Sequence, residues 1–169
     1  MAQDTFFGRG VVRIRQGKNG GVMPPQNKVY QIVVDTNVMY AGLRSQKGAS
    51  YQLLIRLNDP RWQVNLSVAL VLEYEEILTR HQVELNLTLP EINDLIDGWC
   101  AIAQLHGIFY SWRPQSQDPD DDFLIDLAVR AQADFIISFN QKDLQPAAER
   151  FGIAVVTPKQ FLQQMGEIQ

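Results

Sequence analysis

One cysteine in 169 residues, Cys100, excludes an internal disulfide and any zinc site built from cysteines. The two histidines, His81 and His106, stand far apart and share no ligand-like spacing. No apolar run approaches the ~20 residues that span a bilayer, and no secretory signal pattern is present. These absences suit a reducing cytoplasm, where Cys100 is expected to pack within a helix. An excess of positive charge is missing too, because 15 Lys and Arg face 19 Asp and Glu, a net charge of −4. What is present is ordinary: 46% hydrophobic and 20% charged residues, in a chain long enough for one domain with a sizeable core.

The charge is unevenly spread. Residues 1–28 carry Arg9, Arg13, Arg15, Lys18 and Lys28 against Asp4 alone, while residues 29–169 hold 10 basic and 18 acidic residues. Segment 1–28 is rich in Gly, Gln and Arg without hydrophobic period, and reads as a flexible leader. The acidic remainder argues against a broad phosphate-binding face. It does not exclude a nuclease, because bound cations offset clustered carboxylates.

From Val29 onward strands and helices alternate. Tyr30–Val34 (YQIVV) reads as a buried strand ending at Asp35. Residues 36–43 and 48–58 read as helices, and Trp62–Leu66 as a strand. Ser67 caps a long helix, SVALVLEYEEILTRHQ, with an expected apolar stripe at Val68, Val71, Leu72 and Leu78. Thr88 and Glu91 make a capping box for a helix to about Leu105. A strand is expected at Ile108–Tyr110, and a helix from Asp118-Pro119 with Pro at its first position. Phe135–Ser138 reads as a strand followed by a loop, FNQKD; Ile153–Val156 is the last strand, and Thr157-Pro158 caps a terminal helix. This alternation predicts an α/β, three-layer fold, with a central, mainly parallel sheet flanked by helices. Sites in such sheets lie at the carboxyl ends of strands, which directs attention to Asp35 and to the loop after Ser138.

Several carboxylates stand out. Asp35 alone fits a helix N-cap, with Thr36 and Asn37 supporting the turn by hydrogen bonds. Glu73 lies beside the stripe of Leu66, Leu70 and Ile77, so its carboxylate is expected near the buried face, where it needs a salt bridge or a cation. Glu76 and Arg80, at i and i+4, read as a solvated pair. The run DPDDD sets Asp118, Asp121 and Asp122 on one helical face. One or two of these suit a helix N-terminus, but four Asp in five residues exceed that need. Clustered carboxylates supply the oxygen ligands of hard divalent ions such as Mg²⁺ or Mn²⁺. A calcium loop fits less well, because its glycine turn and distal Glu are absent. Asn140 and Asp143 fit turn chemistry, or metal binding through a carbonyl or a water.

Taken together, VVDTNV, the LEYEEIL helix, DPDDDFLIDLA, IISFNQKD and IAVVTPKQFL resemble the PIN-domain family, and within it the VapC-like toxins of bacterial toxin–antitoxin pairs. The resemblance runs from about Val29 to Met165. It implies a divalent-metal-dependent ribonuclease with a central parallel sheet and an acidic pocket at its carboxyl edge. Asp35 matches the first acid, Glu73 the second, and Asp121 or Asp122 the third, Asp121 fitting slightly better. The fourth family position, frequently Asp, falls on Asn140; similar relatives carry Asn there with a following Asp where Asp143 stands. The resemblance also implies an RNA substrate, a blocking antitoxin protein, and dimers, for which exposed apolar residues on the 88–105 helix offer an interface. Arg44 and Lys47 are candidates for contacts with the RNA backbone, or simple solubilising charges. Three rival readings stand beside it: a catalytically silent PIN module that binds RNA or a protein, a phosphatase with Asp35 as nucleophile, and an RNA-processing enzyme without any antitoxin. The phosphatase commonly needs a second Asp where this chain has Asn37.

Overall fold

The computed structural model describes residues 28–107 and 119–169, with side chains described for 28–107 and 123–169. Five strands form one sheet: β1 (Tyr30–Val34), β2 (Trp62–Ser67), β3 (Gln104–His106), β4 (Phe135–Ile137) and β5 (Ala154–Val156). Their order is β3-β2-β1-β4-β5 and every pairing is parallel. Among the described residues the sheet is parallel throughout, as the alternation of strands and helices predicts. Successive strand residues point to opposite faces. Ile32, Val33 and Val34 are all 0% exposed, so both faces of β1 are covered and the architecture is α/β with helices on either side.

The helices are α1 (Thr36–Arg44), α2 (Ala49–Leu54), α3 (Val68–Arg80), α4 (Gln82–Leu85), α5 (Leu89–Ile102), α6 (Pro119–Arg130), α7 (Gln141–Glu149) and α8 (Pro158–Gln164). Capping chemistry sets several starts. The Ser67 hydroxyl accepts from the Leu70 amide at 3.3 Å, the expected capping box of Thr88 with Glu91 forms, and the expected cap at Thr157 is a second such box, completed by Gln160.

Four expectations need correction. The buried face of α3 is Leu70, Tyr74 and Leu78, while Val68 and Leu72 are 71% and 57% exposed. Leu70, Tyr74, Ile77 and Leu78 share one side of the helix, while Val68 and Leu72 fall on the side that carries Glu75, Glu76 and Thr79, so the full period favours the observed face. Tyr74 is drawn inward because its hydroxyl finds a buried partner, the Val34 carbonyl oxygen. The helix also breaks at His81, and the short α4 closes on Asn86 in the left-handed region at φ 52°. Next, α5 ends at Ile102, and pairing with β2 makes Gln104–His106 the third strand; residues 108–110 lie outside the described ones. Last, α7 begins at Gln141, inside the segment expected to be a loop, and tolerates Pro146 in its interior. The charged pair Glu76–Arg80 forms as expected, and Cys100 is half-buried on α5.

Candidate active site

The chain lays β2 and β3 on one side of β1, then crosses to place β4 and β5 on the other. That reversal opens a crevice at the carboxyl ends of β1 and β4, the usual ligand position in open parallel sheets. Asp35 is the first residue beyond β1, and its amide donates to the Ile137 carbonyl at 2.9 Å. Ser138 is the first beyond β4, and its amide donates to the Val156 carbonyl at 2.9 Å. Both strands therefore deliver a polar side chain to the same edge.

Asp35 occupies the N-cap position of α1, yet its side chain makes no capping bond. Its Oδ2 instead accepts from the Ser138 hydroxyl at 2.5 Å and from Asn37 Nδ2 at 2.9 Å. The Ser138 oxygen in turn accepts from the Asn140 amide at 2.9 Å and from Asn37 Nδ2 at 3.3 Å. The Phe139 amide reaches Asn37 Oδ1 at 3.4 Å. Asn37 and Ser138 thus fix the carboxylate across the gap between two strands. Asp35 is only 7% exposed, and burial pushes its pKa up against the opposing pull of the Ser138 hydroxyl. Keeping this carboxylate charged is costly, and a nearby cation offsets that cost. The buried hydroxyl of Thr36, next in the chain, has no hydrogen-bond partner.

Glu73 is half-buried on α3, adjacent to Tyr74. Burial holds the Tyr74 phenol well above its ordinary pKa, and the charges of Asp35 and Glu73 add to that rise. The two acids therefore act on one hydroxyl, Asp35 from the end of β1 and Glu73 from the middle of α3. Glu73 also lines an open cleft of about 370 Å³ together with Glu76, Ile77, Arg80 and, from α6, Phe123. Phe123 brings the first turns of α6 beside Glu73. Asp121 and Asp122 precede it on α6, with side chains outside the described residues, and Asp118 lies outside them altogether.

The remaining candidates are spread more widely. Asn140 stands at the N-cap position of α7, tied by its amide to Ser138, and Asp143 is exposed in that helix's first turn, where the helix dipole favours a carboxylate. Arg44 closes α1 at about 13 Å along the helix from Asp35, by the usual rise per residue. Its Nε meets Glu84 Oε1 at 3.2 Å, and Tyr40 donates to the other Glu84 oxygen at 2.7 Å. Lys47 is exposed between α1 and α2. The structure therefore gathers Asp35, Asn37, Ser138 and Asn140, sets Glu73 near them, and leaves Arg44 and Lys47 at the far end of α1. Sequence reasoning missed Ser138 as a partner of Asp35; a small polar residue directly after two apolar strand residues was its only signal.

Among the described residues no group of three or more acids, histidines or cysteines converges. Asp35 and Glu73 supply two hard oxygen donors, beside the partnerless hydroxyl of Thr36. That donor chemistry fits Mg²⁺ or Mn²⁺ better than softer ions. Among the described residues no helix is long and apolar enough to cross a membrane. A comparison with curated proteins found no match. A family profile described as "PIN domain" matches residues 31–142, a span that runs from β1 to the second residue of α7, takes in Asp35, Glu73, Asp121, Asp122 and Asn140, and stops just short of Asp143.

Proposed function

The chain belongs to the PIN-domain family, whose members are generally nucleases that use divalent metals, and from that premise we propose that it hydrolyses RNA phosphodiester bonds as an endoribonuclease. The observation that carries this reading is Asp35: a carboxylate 7% exposed at the crevice of a parallel sheet, oriented by Ser138 and Asn37. A helix cap alone does not call for the Ser138 and Asn37 side chains to hold the carboxylate. Asp35 and Glu73 are the first two metal-holding acids, Asp121 or Asp122 the third, with Asn140 and Asp143 completing the set. Bound there, Mg²⁺ or Mn²⁺ supplies charge neutralisation at the phosphate and acidifies an attacking water. The protein's own part is positional. Ser138 and Asn37 keep Asp35 in one rotamer, and Tyr74 ties the end of β1 to α3, so that the acids meet substrate preorganised.

The order and intervals of the motifs support a toxin of a toxin–antitoxin pair, with an antitoxin protein as partner; growth arrest on expression, relieved by a neighbouring gene's product, tests that role. A second reading, a catalytically silent PIN module that binds RNA or a protein, is favoured by Asn140 alone, which replaces a frequent Asp. The decisive experiment is cleavage of a mixed RNA pool by wild type and Asp35→Asn, with Mn²⁺, with Mg²⁺ and with chelator. Metal-dependent cutting that disappears in the variant is the expected result. Folded wild type that never cuts, whatever the metal, selects the silent module.

A further inference from the structure

We propose that the cleft along α3 from Glu73 to Arg80 is the track for single-stranded RNA beside the cleaved bond, with Arg80 holding a backbone phosphate and Phe123 stacking on a base. This rests on the nuclease reading above and assigns it a substrate-binding surface. Glu73, Glu76, Ile77 and Arg80 stand at i, i+3, i+4 and i+7, so they share one helical face and line one cleft. Its volume of about 370 Å³ lies within the ~300–1,000 Å³ usual for small-ligand sites. One end of the cleft is a metal-holding acid of the site; the other is a cation.

Length decides what spans it. Seven residues of helix advance about 10.5 Å. Stacked nucleotides advance ~3.4 Å each along one strand, so Arg80 meets a phosphate about three nucleotides from the bond at Glu73. Phe123 forms part of the opposite wall, and an aromatic face in a groove favours unpaired bases, which can stack on it, over a duplex. Arg80 is 59% exposed and, among the described residues, is held only by Glu76, itself 64% exposed. Such a solvated pair is weak, so a phosphate displaces it readily. Glu76 then acts as a competitor within the track, repelling phosphate and occupying the guanidinium. Arg44, in a comparably solvated pair with Glu84, lies at the far end of α1, away from this cleft.

The test uses the whole chain with Mn²⁺ and labelled single-stranded RNAs of two and of about twenty nucleotides. On the long RNA, Arg80→Ala is expected to raise KM about tenfold with kcat kept. The slope of log affinity against log salt should become shallower by ~0.7, the share of one single-strand phosphate contact. The dinucleotide, too short to reach Arg80, should show no defect. Phe123→Leu should raise KM at least fivefold without changing the salt slope, as loss of stacking does. Glu76→Gln should lower KM. If wild type cuts RNA but Arg80→Ala leaves KM and salt slope unchanged, or if the dinucleotide suffers equally, the track is overturned and the nuclease reading stands. If wild type neither cuts nor binds RNA, both are overturned.

Discussion

Removing one oxygen from Tyr74 probes how the two acids are held. The phenol is 1% exposed and donates to the Val34 carbonyl, one residue before Asp35, while its own backbone follows Glu73 directly. In Tyr74→Phe the ring stays against Trp99, at 5.7 Å between centroids and an interplanar angle of 79°, so packing is conserved. What is lost is the partner of a buried carbonyl, worth about 1–3 kcal/mol. Taking ~1.5 kcal/mol and a urea m-value of about 1.5–2 kcal/mol/M, the unfolding midpoint should fall by roughly 0.8–1 M with m unchanged. The same hydroxyl fixes the end of β1 against α3, so the variant should also bind Mn²⁺ more weakly, read from the spectrum of free Mn²⁺ in a titration. Trp99→Phe serves as the control, since it loosens the same packing without touching the bond. A loss of unfolding free energy below about 0.3 kcal/mol refutes the stability argument, given that charge-free buried hydrogen bonds contribute more than this. Equal losses of Mn²⁺ binding in the two variants at equal stability refute the positioning argument.

Two further predictions test the frame around the site. Gly42→Ala should destabilise the protein by up to ~2 kcal/mol in thermal unfolding, because overpacking of about 1–3 kcal/mol outweighs a helix-propensity gain near 1 kcal/mol. Its new Cβ would stand 2.4 Å from Leu54 Cδ1 and 3.1 Å from the Ser50 carbonyl carbon, where α1 and α2 meet. Arg61→Ala should remove an acid-sensitive share of stability: the Arg61 guanidinium holds Asp59 down to about 2 and also lowers Glu167. Depressed carboxylates stabilise the fold above their ordinary values of 3.8 and 4.5 and lose that share as pH falls through the folded values. The advantage of wild type over Arg61→Ala should therefore be constant above about pH 5 and vanish toward pH 2, as followed by urea titrations.

The sheet was legible because its strands are short β-branched runs bounded by turn chemistry, and three of the helix starts because Ser67, Thr88 and Thr157 cap them in the expected way. The stripe expected on α3 mixed two sides: Val68 and Leu72 are as apolar as Leu70 and Leu78 but share their side with Glu75, Glu76 and Thr79, and Tyr74, bonded to β1 across 40 residues, lies on the buried one. β3 was not foreseen because Gln104 and His106 carry little strand signal, and their pairing with Asn65 and Ser67 outweighs it; the strand expected at 108–110 lies outside the described residues. At the candidate site, the place of Asp35 at the end of β1 and of Glu73 beside the buried face of α3 was readable from local pattern. Ser138 was not, because its role depends on β1 and β4 being neighbours, which no local pattern near residue 138 encodes. The distance of Arg44 from Asp35 likewise follows from α1 running away from the sheet edge.

The acidic body shapes how RNA can be held. Residues 29–169 carry 18 acidic and 10 basic residues, and along the cleft Glu73 and Glu76 outnumber Arg80. Without a divalent ion the track repels phosphate, so on the nuclease reading RNA affinity depends on metal occupancy rather than on a basic face. Few phosphate contacts also mean a shallow salt dependence. One or two single-strand contacts give a slope of about −0.7 to −1.4. A much steeper slope for wild type in the same titration requires further cations. The basic residues outside the acidic body, Arg9, Arg13, Arg15 and Lys18, are the concentration of positive charge this sequence has to offer for that purpose. The slope therefore separates RNA held locally beside Glu73 from RNA gripped mainly by the first 28 residues.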